Sequence, residues 1–345
     1  LNTNIFGMTL AELQDALKQM SLPAYRAKQI IEWMYKKNVT SFTEMTNLPL
    51  ALREELAEKF SIFRANLLDR QDSSDGKTTK FLLAFSDGVA VETVLMRQPY
   101  GNSICVSTQA GCNMACAFCA SGINGMDRNL TTGEILAQAL FINEWLQHED
   151  HRINNIVIMG SGEPLANYES VLGFIRLIHE KYCMDLGYRN ITVSTSGIVP
   201  KIEALIKENL PLTLSISLHA PNNQIRSQLM PINEKYPVEM VVKAGALYAD
   251  ETKRRVTYEY ILIAGVNDKP EHAHELAALL RGQMASVNLI PINPVVEKGF
   301  NRPSAAQIKS FEELLLKHHV VVTVRREMGN DIQAACGQLR NKHQE

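Results

Sequence analysis

From about residue 101 the sequence alternates short β-rich runs with amphipathic stretches, and this alternation limits the possible folds more than any other feature. The runs are Ser103 to Ser107, Ile156 to Met159, Ile191 to Thr195, Leu212 to Leu218, Val256 to Ile263, Val287 to Ile290 and Val320 to Val324. Stretches with helical spacing, such as Thr132 to Trp145 and Ala305 to Lys317, lie between them. Repeated β-then-α units with apolar strands predict an α/β fold in which helices cover a parallel sheet. Seven candidate strands with six intervening helical segments suit an incomplete barrel better than a closed eightfold one. In either form the chemistry belongs at the carboxyl ends of the strands.

The first part of the chain follows a different pattern. Leu10, Leu13 and Leu17 fall at helical spacing, as do Ile30, Ile31 and Met34, so residues 1–70 read as a small helical domain. Within it Arg26, Lys28, Lys36 and Lys37 surround a single Glu32, with Tyr25, Trp33 and Tyr35 interleaved. That cluster is either a solvated helix face or a local nucleic-acid surface. The whole chain, with 35 basic and 37 acidic residues, does not advertise a polyanion partner. After the polar stretch Gln71 to Lys77, the runs Lys80 to Phe85 and Val89 to Leu95 meet at Asp87-Gly88, which suits a tight turn. A β-hairpin is predicted over 71–100. Alternation puts Glu92 on the side of Ala90 and Val94, so a carboxylate falls on a partly apolar face, a setting that can move it toward neutral ionisation. No apolar run approaches a membrane span, and Glu12 and Asp15 stand where a signal peptide would be basic, so a cytoplasmic protein without a membrane partner is expected.

Six cysteines are too few for a disulfide scaffold in a chain of 345 residues. Cys112, Cys116 and Cys119 form C-x3-C-x2-C directly after the first barrel strand, and Gly111 permits a tight turn there. A structural zinc site would want a fourth ligand, and none follows at zinc-finger spacing. Three thiolates that leave one coordination position open suit a [4Fe-4S] cluster whose fourth iron binds a substrate or cofactor. Cys105 and Cys336, read alone, are small buried hydrophobes or reactive thiols. Cys183 is expected to be structural.

With Phe118 just before its last cysteine, this motif resembles that of radical S-adenosylmethionine (SAM) enzymes. Over nearly its whole length the sequence is similar to the RlmN/Cfr family of RNA adenine methyltransferases. The resemblance rests on Tyr25 to Gln29, Gly162-Glu163-Pro164, Val193 to Gly197, Ser217-Leu218-His219, Asn288 to Asn293, Arg325 to Ile332 and Ala334 to Leu339, in the family's order. It departs at Ser161, where the family usually carries an apolar residue.

The resemblance implies a partial (β/α)6 radical SAM barrel over 101–331. Before it come an N-terminal accessory domain over 1–70 and a β-hairpin connection over 71–100 that carries a general base, Glu92. A C-terminal segment over 332–345 follows, with a methyl-carrying Cys336. It assigns a [4Fe-4S] cluster to Cys112, Cys116 and Cys119, and SAM to Gly162, Glu163, Ser194, Ser217, Leu218, His219 and Asn293. Cys105 would resolve the covalent intermediate. Adenine C2 is an electron-poor carbon and a poor nucleophile, so a radical route is required there. Two SAM are consumed for each methyl transferred. The implied partners are 23S rRNA, tRNA and an external electron donor such as flavodoxin, with the protein a monomer. The spacing from Gly329 to Cys336 resembles RlmN. The alternatives are a Cfr-like C8 methyltransferase conferring ribosome-antibiotic resistance and a noncatalytic, metal-stabilised RNA-binding protein.

Overall fold

The computed structural model describes residues 2–340. Residues 341–345, the end of the expected C-terminal segment, lie outside the described residues.

The chain opens with β1 (Thr3–Asn4) and three helices, α1 (Leu10–Lys18), α2 (Tyr25–Tyr35) and α3 (Leu50–Lys59), and returns through β2 (Phe60–Ser61). Thr9 and Glu12 cap α1 reciprocally, satisfying amides that the first turn leaves free. α2 buries Ala27, Ile30, Ile31 and Met34 on one face. These residues belong to the same hydrophobic core cluster as the barrel strands, so the helical region and the barrel share one core. Tyr35 helps to fix the junction: its hydroxyl donates to the Met8 carbonyl at 2.9 Å and accepts from Gly7 N at 3.0 Å.

Three antiparallel strands follow, β3 (Asn66–Asp72), β4 (Thr78–Ala84) and β5 (Ala90–Gln98). The hairpin expected at Asp87-Gly88 is the β4–β5 pair. It is built into the main sheet through β6 (Gly101–Cys105), which is antiparallel to β5 and parallel to β9 (Ile153–Ile158). Phe81 of β4 is fully buried and meets Phe141 and Trp145 edge-on, both at 5.7 Å. Asn66–Asp72 gave no strand signal in the sequence because β3 is an edge strand exposed along its length.

β6 is followed by a short antiparallel ribbon, β7 (Gln109–Gly111) and β8 (Met126–Asn129), and then by α4 (Thr132–Gln147), which holds Phe141 and Trp145. After β9 come α5 (Tyr168–His179), β10 (Ile191–Thr195), α6 (Val199–Lys207), β11 (Thr213–Ser217), α7 (Asn223–Leu229), α8 (Val238–Thr252) and β12 (Val256–Leu262). The last elements are α9 (Pro270–Leu279), β13 (Ala285–Pro291), α10 (Ala305–Lys317) and β14 (Val321–Val324). Among the described residues the sheet runs β14-β13-β12-β11-β10-β9-β6-β5-β4-β3, parallel from β14 to β6. The seven expected barrel strands are therefore present in order. β6 and β14 do not meet, so the barrel is open.

Candidate active site

The cysteine loop was expected directly after the first barrel strand. It lies in the connection from that strand, β6, to α4, carried between β7 and β8, whose strands of three and four residues are too short to give a periodic signal. The ribbon requires Gly111: φ is +80° and a Cβ there would sit 2.0 Å from the Gly125 carbonyl oxygen. Cys112 N donates to that same oxygen at 3.0 Å, and Ala117 N donates to the Leu229 carbonyl at 2.8 Å. The loop is thus fixed both to itself and to the barrel.

Cys112, Cys116 and Cys119 line a cavity of about 150 Å³ together with Gly162, Glu163, Ser194, Ser217 and His219. Burial pushes all three thiols up, that of Cys112 to about 11; Cys119 raises Cys112 and Cys116 further, and Cys336 raises Cys119. Adjacent buried thiols of this kind ionise when a soft cation holds them. Among the described residues no three ligating side chains converge as one bound ion requires. The three thiols instead border a shared cavity, a donor set that fits a multi-iron cluster with one corner left for another ligand.

The other side chains on this cavity divide into binders and scaffold. Glu163 is buried, and its carboxylate accepts from Leu165 N (3.0 Å), Thr195 Oγ1 (2.8 Å) and Ser196 N (2.7 Å). It ties the β9 and β10 loops together, while burial raises its ionisation above the ordinary range. Gly162 has φ +102°, and a Cβ on it would meet Gln109 Cβ at 2.5 Å. Ser161 is buried and its hydroxyl donates to the Gly111 carbonyl at 3.3 Å, so the departure from the family pattern is used to anchor the ribbon. His219 is held neutral: burial, then the charge of Arg226, push it down to about 3. Its Nδ1 accepts from Ile261 N at 3.0 Å, which assigns its proton to Nε2.

Leu218 lies in the core behind the cavity, its carbonyl accepting from Arg226 Nε at 3.1 Å. Asn293 lines a second, adjoining cavity of about 780 Å³. Its Oδ1 is buried without a partner among the described residues, an acceptor available to a ligand. Cys336 lines both cavities and Cys105 the larger one. Burial, then the neighbouring Cys336, push the Cys105 thiol up to about 12, an effect that Arg325 opposes.

Glu92 lies apart from these groups. It is buried, but its surroundings are polar rather than apolar: Lys80 Nζ is 2.9 Å from Oε1 and Arg340 N donates to Oε2 at 2.6 Å. It lines a different cavity, of about 240 Å³, with Asp69, Gln71, Lys80, Leu82, Asp331, Ile332 and Gln333. The C-terminal segment runs between the two regions, with Ala334 to Gly337 on the large cavity and Asp331 to Gln333 on the small one.

Sequence reasoning missed Arg226. It is fully buried and donates to the carbonyls of Ser196 (2.6 Å), Ser217 (3.3 Å), Leu218 (3.1 Å) and Tyr236 (3.2 Å) and to Asn233 Oδ1 (3.1 Å). One guanidinium thereby fixes two strand ends of the cavity. An arginine on a seven-residue helix has no sequence signature that separates it from a surface residue.

An open parallel barrel with a three-cysteine loop that borders a cavity at its strand ends defines a radical SAM enzyme. A profile described as the radical SAM superfamily matches residues 106–277. One described as the ribosomal RNA large subunit methyltransferase N-terminal domain matches residues 3–62. The chain is 49% identical to a probable dual-specificity RNA methyltransferase RlmN of Bacillus thuringiensis subsp. konkukian, covering 99% of this chain and 94% of the relative. It is 49% identical to one of Symbiobacterium thermophilum, covering 98% and 91%. The crystal structure of a radical SAM methyltransferase from Sphaerobacter thermophilus superposes with a TM-score of 0.95 at 44% identity, over 99% of this chain and 100% of that one. The chain belongs to the RlmN family of radical SAM RNA methyltransferases, whose superfamily chemistry uses a [4Fe-4S] cluster and SAM. Among the described residues no helix is long and apolar enough to cross a membrane.

Arg226→Met should leave four carbonyls without their donor, lower stability by about 3 kcal/mol or more and weaken SAM binding. Urea midpoints and equilibrium binding measure the two effects. A variant unchanged in both would reduce Arg226 to a space-filler.

Proposed function

We propose that this chain methylates C2 of an adenine in 23S rRNA and in tRNA, with the methyl carbon carried on Cys336. The observation that supports this most directly is that Cys336 and Cys105, brought together from the C-terminal segment and β6, line one cavity beside Cys119 of the cysteine loop. Cys112, Cys116 and Cys119 would hold the cluster. Gly162, Glu163, Ser194, Ser217, Leu218, His219 and Asn293 would shape the seat for SAM. When bound, these groups supply the one-electron chemistry that takes a hydrogen atom from a methyl group.

The protein's own residues do the rest. Cys336 accepts a methyl group on sulfur and presents that carbon to the base, so that protein and RNA are joined through a thioether. Glu92 takes the C2 proton, for which Arg340 N must release Oε2. Closing the thioether also releases one electron, which the redox chemistry supplied by the cluster would accept. Cys105 then attacks the sulfur of Cys336: an S–S bond forms, the S–C bond breaks with its electron pair left on carbon, and that carbon takes up a proton as the RNA leaves methylated. Two electrons from an external donor reopen the disulfide. Because burial raises the Cys105 thiol to about 12, the Arg325 guanidinium beside it is needed to favour its thiolate.

RNA must yield a base to the barrel mouth, so recognition rests on an extruded nucleotide and on backbone contacts. α2 turns its apolar face inward and leaves Lys28, Lys36 and Lys37 exposed, with Lys37 Nζ 3.6 Å from the centre of the Trp33 ring. Exposed in this way, the basic cluster would be able to contact an RNA backbone.

Mass spectrometry of nucleosides from RNA incubated with the enzyme should yield 2-methyladenosine, and 8-methyladenosine in its place would overturn the C2 assignment. Cys105→Ala should accumulate a covalent RNA complex on denaturing gels while Cys336→Ala forms none, since a thiol that attacks last is not needed for the bond it later breaks. Crosslinks in both variants, or in neither, would reassign the two thiols. Replacing Lys36 and Lys37 with Glu should raise the RNA concentration needed for turnover without altering iron content. An unchanged RNA dependence at every salt concentration would make that face a solvated one.

A further inference from the structure

Lys80 has no part in the chemistry described above, yet it is the one buried lysine among the described residues. Its side chain is 10% exposed, against 7% for Glu92. In the β4–β5 register Lys80 pairs with Val94 and Leu82 with Glu92, so Lys80 and Glu92 are diagonal neighbours on one face of the sheet. A lysine desolvated this far is costly unless a carboxylate accepts from it. Lys80 occupies Oε1 of Glu92, and Oε2, held by a backbone amide of the segment that carries Cys336, is the oxygen a substrate can claim.

We propose that Lys80 is the positioning residue for Glu92, fixing Oε1 beside its ammonium so that Oε2 is the oxygen offered to the C2 proton, and sending that proton outward through the polar cavity that Glu92 lines. The proposal rests on the reading of Glu92 as the proton acceptor. The cavity has the character of an exit. Asp69 and Gln71 of β3 and Asp331 and Gln333 of the C-terminal segment line it, and all four are exposed, so it opens to solvent. The charged groups facing Glu92 are Lys80 from β4, Asp69 from β3 and Asp331 from the C-terminal segment, while the Arg340 guanidinium is turned away to Glu297. When Glu92 takes the proton from C2, the pair becomes a neutral acid beside an ammonium. The ammonium favours return to the carboxylate, and the proton passes to water in the cavity with no other bond changed.

The test uses the reconstituted holoenzyme in single turnovers from pH 5.5 to 9, with RNA deuterated at adenine C2, comparing wild type with Lys80→Met, Lys80→Arg and Glu92→Gln. Deuterium release, covalent complex on denaturing gels and methylation of Cys336 are followed together. Lys80→Met should methylate Cys336 normally but release deuterium about tenfold more slowly at pH 6. It should accumulate the complex with deuterium retained and recover as the pH rises, its acid limb displaced upward. Lys80→Arg, which keeps the charge, should follow the wild-type pH profile. Lys80→Met with a wild-type acid limb, while Glu92→Gln stalls as a complex, would overturn the role of Lys80 and leave Glu92 as the base. Glu92→Gln that releases deuterium at the wild-type rate would overturn the reading of Glu92 and this proposal with it.

Discussion

Of the hydrogen bonds that hold the C-terminal segment across the barrel mouth, three set the arrangement of the candidate site. Gly337 accepts from Ala120 N at 2.8 Å, Leu339 accepts from Ser121 Oγ at 2.9 Å and Arg340 donates from N to Glu92 at 2.6 Å. The first two tie the segment to the cysteine loop and the third ties it to the hairpin. Cys336 is therefore presented between the three-cysteine loop and Cys105 by backbone contacts that do not involve its own side chain. Bonds of this kind are each worth about 1 kcal/mol net. They suffice to define one resting position and are weak enough to be exchanged for contacts with RNA.

The sheet explains why these parts can meet. β6 is shared between the parallel barrel and the antiparallel β3–β5 extension, so Cys105 at its carboxyl end borders both. Its register partner on β5 is Val94, two residues from Glu92 and on the same face. The hairpin is therefore not a tether between two domains. It continues the sheet that carries the radical chemistry, and through Phe81 it shares the hydrophobic core with α4.

The parts of this arrangement legible in the sequence were those with local periodicity or local spacing. The barrel strands, the Asp87-Gly88 hairpin and the three-cysteine loop each depend on residues within a few positions of one another. The short ribbon β7–β8 escaped because its strands are too brief to alternate, and β3 because an edge strand open to water needs no apolar pattern. The setting of Glu92 was misjudged for a different reason. Alternation identified its face correctly, but the groups that make the surroundings polar, Lys80 from β4 and Arg340 from the C-terminus, come from elsewhere in the chain. Arg226 belongs with these long-range features.

Two of the buried cations among the described residues, Arg226 and Lys80, solve the same electrostatic problem in opposite ways. Arg226 bonds to four carbonyl oxygens and an amide, neutral acceptors whose charge does not change in the reaction, so its environment is the same before and after turnover. A guanidinium suits that task because its five donors can be satisfied at once and its proton is not given up. Lys80 depends on a single carboxylate. If that carboxylate takes a proton, the ammonium loses its counter-charge while still buried, a state that water-filled surroundings must relieve. An ion pair built only for stability gains nothing from an adjoining polar cavity, whereas one whose charge must be lost and regained in each cycle requires a path to solvent.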